Sequence, residues 1–261
     1  MYEYIKLTID GNMAILTLHN PAKRNAINFT MMDEIHQALD QITRESKVRA
    51  LVLYGDEKAF CAGMDITRNK TDEFAVPPTE NTVALKLHTL YNRVEKLPFA
   101  VIAAVAGFAL GGGFELALAC DIRIFADNAK VGLPELKIGT IPCGGGTQRL
   151  PRLIGAGRAK ELIFTCAPID AGEAYRMGIA NRVVSNEMLL DEATTLARQL
   201  AAQAPLAIEM AKHAVDMGME TTLEQGLLIE SRNSLLLKRT ADYIEGAAAF
   251  KEKRTPVFQG R

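Results

Sequence analysis

Apolar and polar residues alternate loosely over residues 4–9 and again over 13–18. Asp10-Gly11-Asn12 between them is a turn signal, so the chain is expected to open with a β-hairpin. Asn20-Pro21 ends the second strand and begins a loop through Lys23, Arg24 and Asn25. The period then changes. Met32, Ile35, Leu39 and Ile42 recur at helical spacing, and Thr30 with Asp33 three residues later predicts the helix start, a capping box with Asp in place of Glu. Residues 48–54 form a short apolar strand candidate, and 67–81 are polar, contain Pro77 and Pro78, and predict a mobile loop. Val83, Leu87, Leu90 and Val94 mark a second helix. Residues 99–105 are almost continuously apolar, as in a strand buried on both faces. Residues 106–120 are largely apolar and rich in glycine and alanine, which predicts a helix packed close to other backbone, and 121–125 read as the next strand.

The second half has a different texture. Gly144, Gly145 and Gly146, with Gly155 and Gly157, frame a compact turn region. Helical periodicity then dominates, over 159–164, 171–177, 187–200, 206–217 and 223–237, with a short strand candidate at 179–184. Strands alternate with helices in the first half, but the phosphate-binding fingerprint of a dinucleotide fold is absent. The pattern predicts an α/β class: a mixed core over residues 1–195, followed by a helical C-terminal region over 196–261. A length of 261 residues suits one large core with a small appendage.

Composition narrows the function classes. Thirty Lys and Arg against 31 Asp and Glu give a formal net charge of −1, so overall charge offers no attraction for nucleic acid or an acidic membrane. Cys61, Cys120, Cys143 and Cys166 form no close CxxC pair, and the four histidines form no HExxH motif, so neither a zinc site nor a redox motif is indicated. No apolar run reaches membrane-spanning length and no targeting segment is recognisable, which favours the cytoplasm.

Several residues invite chemistry. Gly111-Gly112-Gly113 costs backbone entropy, and if it opens a helix its unpaired N–H groups face whatever sits there. That suits negative charge developing on an oxygen, although close helix packing explains the same glycines. Glu115 follows among Phe114, Leu116 and Leu118. A carboxyl buried there has a raised pKa suited to proton transfer, or is a structural Glu paired with a distant Arg or Lys. Glu135 follows Pro134, which is good helix-start chemistry, yet two carboxyls near glycine-rich bends can also form an acid/base pair across one pocket. In Phe60-Cys61-Ala62-Gly63-Met64-Asp65-Ile66, Gly63 permits a tight bend and the Met64 N–H can aim outward.

Together these segments resemble the enoyl-CoA hydratase/isomerase (crotonase) family. The match rests on Asn20-Pro21 through Asn25-Ala26, FCAGMDI at 60–66, AGFALGGGFELALACD at 106–121, VGLPELKIGTIP at 131–142, GGTQRLPRLIG at 145–155 and the FKEKRTPVFQG ending. The resemblance implies a crotonase-like spiral of β-β-α units, assembled as trimers or as dimers of trimers, with a helical C-terminal region involved in closing the pocket and in oligomerisation. It implies an oxyanion hole at the backbone N–H groups of Met64 and Gly112, and catalytic carboxyls at Glu115 and Glu135 that bracket a water. The substrate implied is an acyl-CoA thioester, with no separate cofactor because CoA is part of the substrate. Lys23, Arg24, Ala26, Ala62, Asp65 and Ile66 are the implied CoA-binding surface, with Lys253 from the C-terminal end; a solvated charge pair is the simpler account of Lys23 and Arg24. Two positions depart from the common pattern. Met64 is larger than usual there, and Cys143 stands beside the water site where many hydratases have Gly. Retention of both glutamates favours reversible hydration of trans-2-enoyl-CoA over double-bond isomerisation. A non-catalytic or nucleic-acid-binding protein on the same scaffold is the alternative of another class, and the near-neutral charge weighs against it.

Overall fold

The computed structural model describes residues 2–44, 47–66 and 82–261. Strands β1 (Ile5–Asp10) and β2 (Met13–Leu18) pair antiparallel around Gly11, which takes the positive φ the turn needs. Strands β3 (Ala50–Tyr54), β5 (Ala100–Val105), β7 (Ile122–Ala126) and β10 (Arg182–Val184) then add parallel to β2, giving a six-stranded sheet in the order β1-β2-β3-β5-β7-β10.

The second sheet was not expected. Strands β4 (Ala59–Cys61), β6 (Phe108–Leu110), β8 (Lys130–Gly132) and β9 (Ile169–Asp170) form it in that order. Each of β3, β5 and β7 is followed by one of its short strands, and then by a helical turn. After β4 comes α2 (Thr82–Glu95); after β6 comes α3 (Gly112–Leu118); after β8 comes a 3₁₀ turn at Glu135–Ile138. Strands of two or three residues have no measurable side-chain period, which is why none of them stood out. The single helix expected over 106–120 is corrected accordingly. Gly107 and Gly111 both take positive φ, strand β6 lies between them, and only Gly112–Leu118 is helical.

Helix α1 (Phe29–Arg44) begins earlier than expected. Its cap is Asn28, whose Oδ1 accepts from the Met31 N–H at 2.8 Å, while Thr30 already lies inside the first turn. Asn caps as well as Thr, and the bridge between Ile27 and Met64 sets where the helix can start. The glycine-rich region expected as a turn contains α4 (Gly146–Ile154) and leads into α5 (Ala156–Thr165) and α6 (Ala171–Arg176). The strand expected at 179–184 shortens to Arg182–Val184. The loop expected at 67–81 lies outside the described residues.

Strand β5 is buried along its whole length because both faces are covered. Val101, Ala103 and Val105 join the main core with α1 and α2, while Ile102 and Ala104 meet α7 (Leu189–Ala201) through Leu189, Ala193, Leu196 and Ala197. Full burial of each large aliphatic side chain contributes about 1.5–3 kcal/mol, so this double coverage anchors the sheet that carries the site. The expected boundary at 195/196 falls within α7. Beyond it stand α8 (Pro205–Met219), α9 (Leu223–Leu237) and α10 (Ala241–Glu252), the last of which was not anticipated. No helix among the described residues is long and apolar enough to cross a membrane.

Candidate active site

Glu115 is 1% exposed, one turn into α3. Its Oε1 accepts from two backbone N–H groups, Gly144 at 2.8 Å and Gly146 at 2.8 Å. The partners of this buried carboxyl are therefore peptide groups, and among the described residues the direct Arg or Lys pair considered from sequence is not formed. Burial is the larger influence and pushes its pKa up; the two N–H bonds and the Arg149 charge pull it back.

Glu135 opens the 3₁₀ turn after Pro134, which sits at the cap rather than inside the helix. Its carboxyl leans on the start of α3: a Cβ at position 111 would lie 2.9 Å from Glu135 Oε1. Position 111 has φ +52°, so glycine is required there both for backbone conformation and for room. Glu135 Oε2 is buried and makes no hydrogen bond among the described residues. Burial first, and the Glu115 charge as a lesser cause, push the Glu135 pKa up to about 7. Two carboxyls that sequence separates by twenty positions thus share one electrostatic environment.

The two backbone donors expected from sequence also come together. Gly63 C=O accepts from the Ile27 N–H and the Asp65 N–H donates to Ile27 C=O, each at 2.8 Å. In such a parallel bridge the intervening Met64 N–H points to the opposite side. Gly63 has φ +101°, and a Cβ there would sit 2.8 Å from the Leu110 carbonyl and 3.6 Å from the Gly112 nitrogen. From the other side, a Cβ on Gly112 would lie 3.7 Å from the Met64 nitrogen. Gly112 is the first residue of α3, where an N–H has no intrahelical acceptor. Neither amide donates to a backbone carbonyl among the described residues. Met64 Cγ also approaches that Gly112 position to 3.7 Å, so its longer side chain lies beside the donor pair.

The remaining expected residues divide. Lys23 Nζ pairs with Asp65 Oδ2 at 2.6 Å, and the Ala62 N–H donates to the Arg24 carbonyl at 3.0 Å. The Arg24 guanidinium lies 5.3 Å from the centre of the Phe108 ring. Ala26 is buried, Ile66 is exposed, and residues 23–27 run beside 62–65 as one seam next to Met64. Cys143 is half-buried against the main core, immediately before the Gly144 amide that binds Glu115. Lys253 stands apart: it caps α10 in left-handed conformation, and no hydrogen bond or ion pair among the described residues joins it to this pocket.

Two neighbours were missed. Tyr91, fully buried on α2, donates its hydroxyl to the Gly112 carbonyl at 2.7 Å, and burial with the nearby Glu115 pushes its pKa well up. A phenol on the Leu87–Leu90–Val94 face was a visible signal, because a buried hydroxyl needs a partner. The other is Arg149 on α4, which reaches the Gly144 carbonyl at 3.2 Å.

Comparison with known proteins assigns the chain. A family model described as enoyl-CoA hydratase/isomerase matches residues 8–261. The chain belongs to the enoyl-CoA hydratase/isomerase family. Within that family it is 40% identical to crotonyl-CoA hydratase of Syntrophomonas wolfei, over 98% of each chain. It is 39% identical to short-chain-enoyl-CoA hydratase of Clostridium acetobutylicum, over 94% of this chain and 93% of that one. The crystal structure of an enoyl-CoA hydratase from Bacillus anthracis superposes with a TM-score of 0.93 at 39% identity, covering 99% of this chain and 100% of that one. The stacked β-β-α units and helical C-terminal region are therefore the fold of the enoyl-CoA hydratase/isomerase family, as the sequence motifs implied.

Proposed function

We propose that this protein adds water reversibly to trans-2-enoyl-CoA, giving 3-hydroxyacyl-CoA; in reverse it dehydrates 3-hydroxybutyryl-CoA. The observation that carries this is the pairing of two carboxyls in unlike environments beside two adjacent amides that donate to no backbone carbonyl among the described residues. Glu115 has one oxygen tied to Gly144 and Gly146, which favours its ionised form and makes it the base for the attacking water. Glu135, with its pKa pushed up to about 7, holds a proton near neutrality and is the acid for Cα.

The thioester oxygen accepts from the Met64 and Gly112 N–H groups. Water attacks Cβ as Glu115 takes its proton, charge moves onto the thioester oxygen, and Glu135 protonates Cα. One water is consumed, and the proton on Glu115 then returns to Glu135 through the shared pocket or solvent. Preorganised donors of this kind supply about 3 kcal/mol each, because they stabilise enolate charge without reorganising. All of these steps are carried by protein groups acting on a substrate that already contains CoA. The seam of Lys23, Arg24, Ala26, Ala62, Asp65 and Ile66 is the surface for CoA, with Lys253 reaching its phosphates only after assembly.

Exposed apolar residues on the C-terminal helices, Leu223, Leu227, Leu228 and Leu236 among them, support self-association as a trimer or dimer of trimers. Four free cysteines support a reducing compartment, the cytoplasm. A net charge of −1 supports a small-molecule substrate over nucleic acid.

Crotonyl-CoA is the first substrate to test, since the names of two relatives point to short chains. In labelled water the 3-hydroxy product should gain one labelled oxygen with no added cofactor. A matched 3-enoyl-CoA at equal concentration should react more slowly. Fast conversion of 3-enoyl to 2-enoyl thioester with negligible labelled oxygen would replace hydration by isomerisation and leave the enolate-stabilising amides in place.

A further inference from the structure

The peptide segment that grips Glu115 is itself held from behind. Arg149 sits on α4 with a side chain only 15% exposed, and its guanidinium uses every edge. Nη1 donates to the Gly144 carbonyl at 3.2 Å, Nη2 to Asn92 Oδ1 at 2.7 Å and to Glu95 Oε2 at 2.7 Å, and Nε to Glu95 Oε1 at 3.2 Å. Asn92 and Glu95 lie on α2, the helix that also carries Tyr91. Gly145 packs on the fork so closely that a Cβ there would overlap Arg149 Nη1.

We propose that Arg149 is a positioning residue for Glu115: anchored by Asn92 and Glu95, its guanidinium fixes the carbonyl of Gly144 and so aims the Gly144 and Gly146 amides at the Glu115 carboxylate. This inference rests on Glu115 being the base of the hydration proposed above. The chain of contacts is continuous, from α2 to the fork, from the fork to the Gly144 carbonyl, and from the two amides to Glu115 Oε1. A planar, five-donor guanidinium can hold Glu95 in a two-point contact and a carbonyl at once, which an ammonium cannot. The charged and titratable groups around this unit are Tyr91 and Glu95 from α2, Cys61 from β4, Cys120 just after α3, Glu135 from the 3₁₀ turn, Cys143 beside Gly144, Arg149 itself, and Lys212 and Asp216 from α8, the latter sharing a field with Glu95. Arg149 is the cation among those acting on Glu115, and it favours the ionised carboxylate.

Three measurements on the full chain test this with Arg149→Met and Arg149→Lys. The first is the pH profile of crotonyl-CoA hydration. In R149M, kcat should fall by up to about 10²-fold with KM little changed, since a small misplacement of a reacting group has that effect. The acidic limb should move to higher pH, because Glu115 loses both a favourable charge and well-aimed donors; the alkaline limb, set by Glu135, should stay. R149K keeps the charge without the fork, so it should restore the limb position but only part of kcat. The second is carbon NMR of glutamate-labelled protein, with Glu115→Gln to assign the signal: the Glu115 carboxyl should titrate at higher pH in R149M than in the parent. Thermal unfolding is the third and shows whether each variant is folded.

A folded R149M with the parental acidic limb and parental Glu115 titration overturns the proposal. If R149M does not fold, R149K decides: parental kcat overturns it, and a lowered kcat at unchanged KM supports it. Should the parent protein fail to hydrate any enoyl-CoA, the hydration assignment fails by itself, and the NMR titration still tests the contact between Arg149 and Glu115.

Discussion

Replacing Glu115 by Gln and by Ala separates what its charge does from what its shape does. Oε1 holds two backbone amides at 2.8 Å in a fully buried setting. Gln retains an acceptor at that atom. Hydrogen bonds to a charged acceptor contribute about 1.5–3 kcal/mol and neutral ones about 0.5–1.5, so the exchange loses about 2 kcal/mol over the pair. Removing a buried charge offsets part of this, and the net change should stay within about 2 kcal/mol. Ala instead leaves the Gly144 and Gly146 amides orphaned, at about 1–3 kcal/mol each, or about 2–6 kcal/mol together. Activity follows a different order. Both variants lack the base, and hydration should fall about 10²–10⁴-fold, equivalent to about 2.7–5.4 kcal/mol of barrier.

Stability is read from urea unfolding and rate from loss of the conjugated thioester. The sign of the pH effect is also set. Burial raises the Glu115 pKa above its ordinary 4.5, so its contribution to stability is full below that value and is lost as pH rises through the folded pKa. E115Q escapes this loss and should gain on the parent as pH increases. Parental turnover in E115Q refutes the assigned role. Equal stability of E115A and E115Q refutes the reading that the acceptor at Oε1 is what satisfies the Gly144 and Gly146 amides.

Glu135→Gln should also lower hydration about 10²–10⁴-fold; because the Glu135 pKa rises from 4.5 to about 7, the parent loses stability across that window and the variant does not, so unfolding midpoints at several pH values should diverge between those limits. The two glutamate effects should not add, since both act in one transition state, and additivity in the double variant would place them in separate steps. Tyr91→Phe removes the bond to the Gly112 carbonyl and should cost about 1 kcal/mol in denaturant unfolding, with a parental value arguing that the phenol does not hold that peptide. Light scattering should give a trimer or hexamer, and Leu227→Glu with Leu228→Glu should weaken it; a fully active monomer at assay concentration would rule assembly out.

Local pattern by itself determined much of this protein. The first hairpin, the apolar face of α1, the double-sided burial of β5 and the helical character of the C-terminal region follow from side-chain periods that need only a few neighbouring residues. Glu115 stood out because a carboxyl among Phe114, Leu116 and Leu118 is costly without a partner. The motifs together carried the family. Tertiary structure decided the rest. The second sheet depends on two- and three-residue strands whose partners lie many positions away, and a largely apolar run over 106–120 cannot by itself reveal that Gly107 and Gly111 turn it into a strand followed by a short helix. Helix α10 eluded periodicity because its polar Asp242 turns inward, where its carboxylate holds the Gln259 and Gly260 amides of the tail. At the site, spacing along the chain could not state that Gly144 and Gly146 supply the amides for Glu115, that Tyr91 holds Gly112, or that Arg149 stands behind Gly144. The physical reason is one of range: periodicity records which face of an element is buried, whereas the partner of a buried polar group is chosen by elements that meet only when the whole core closes.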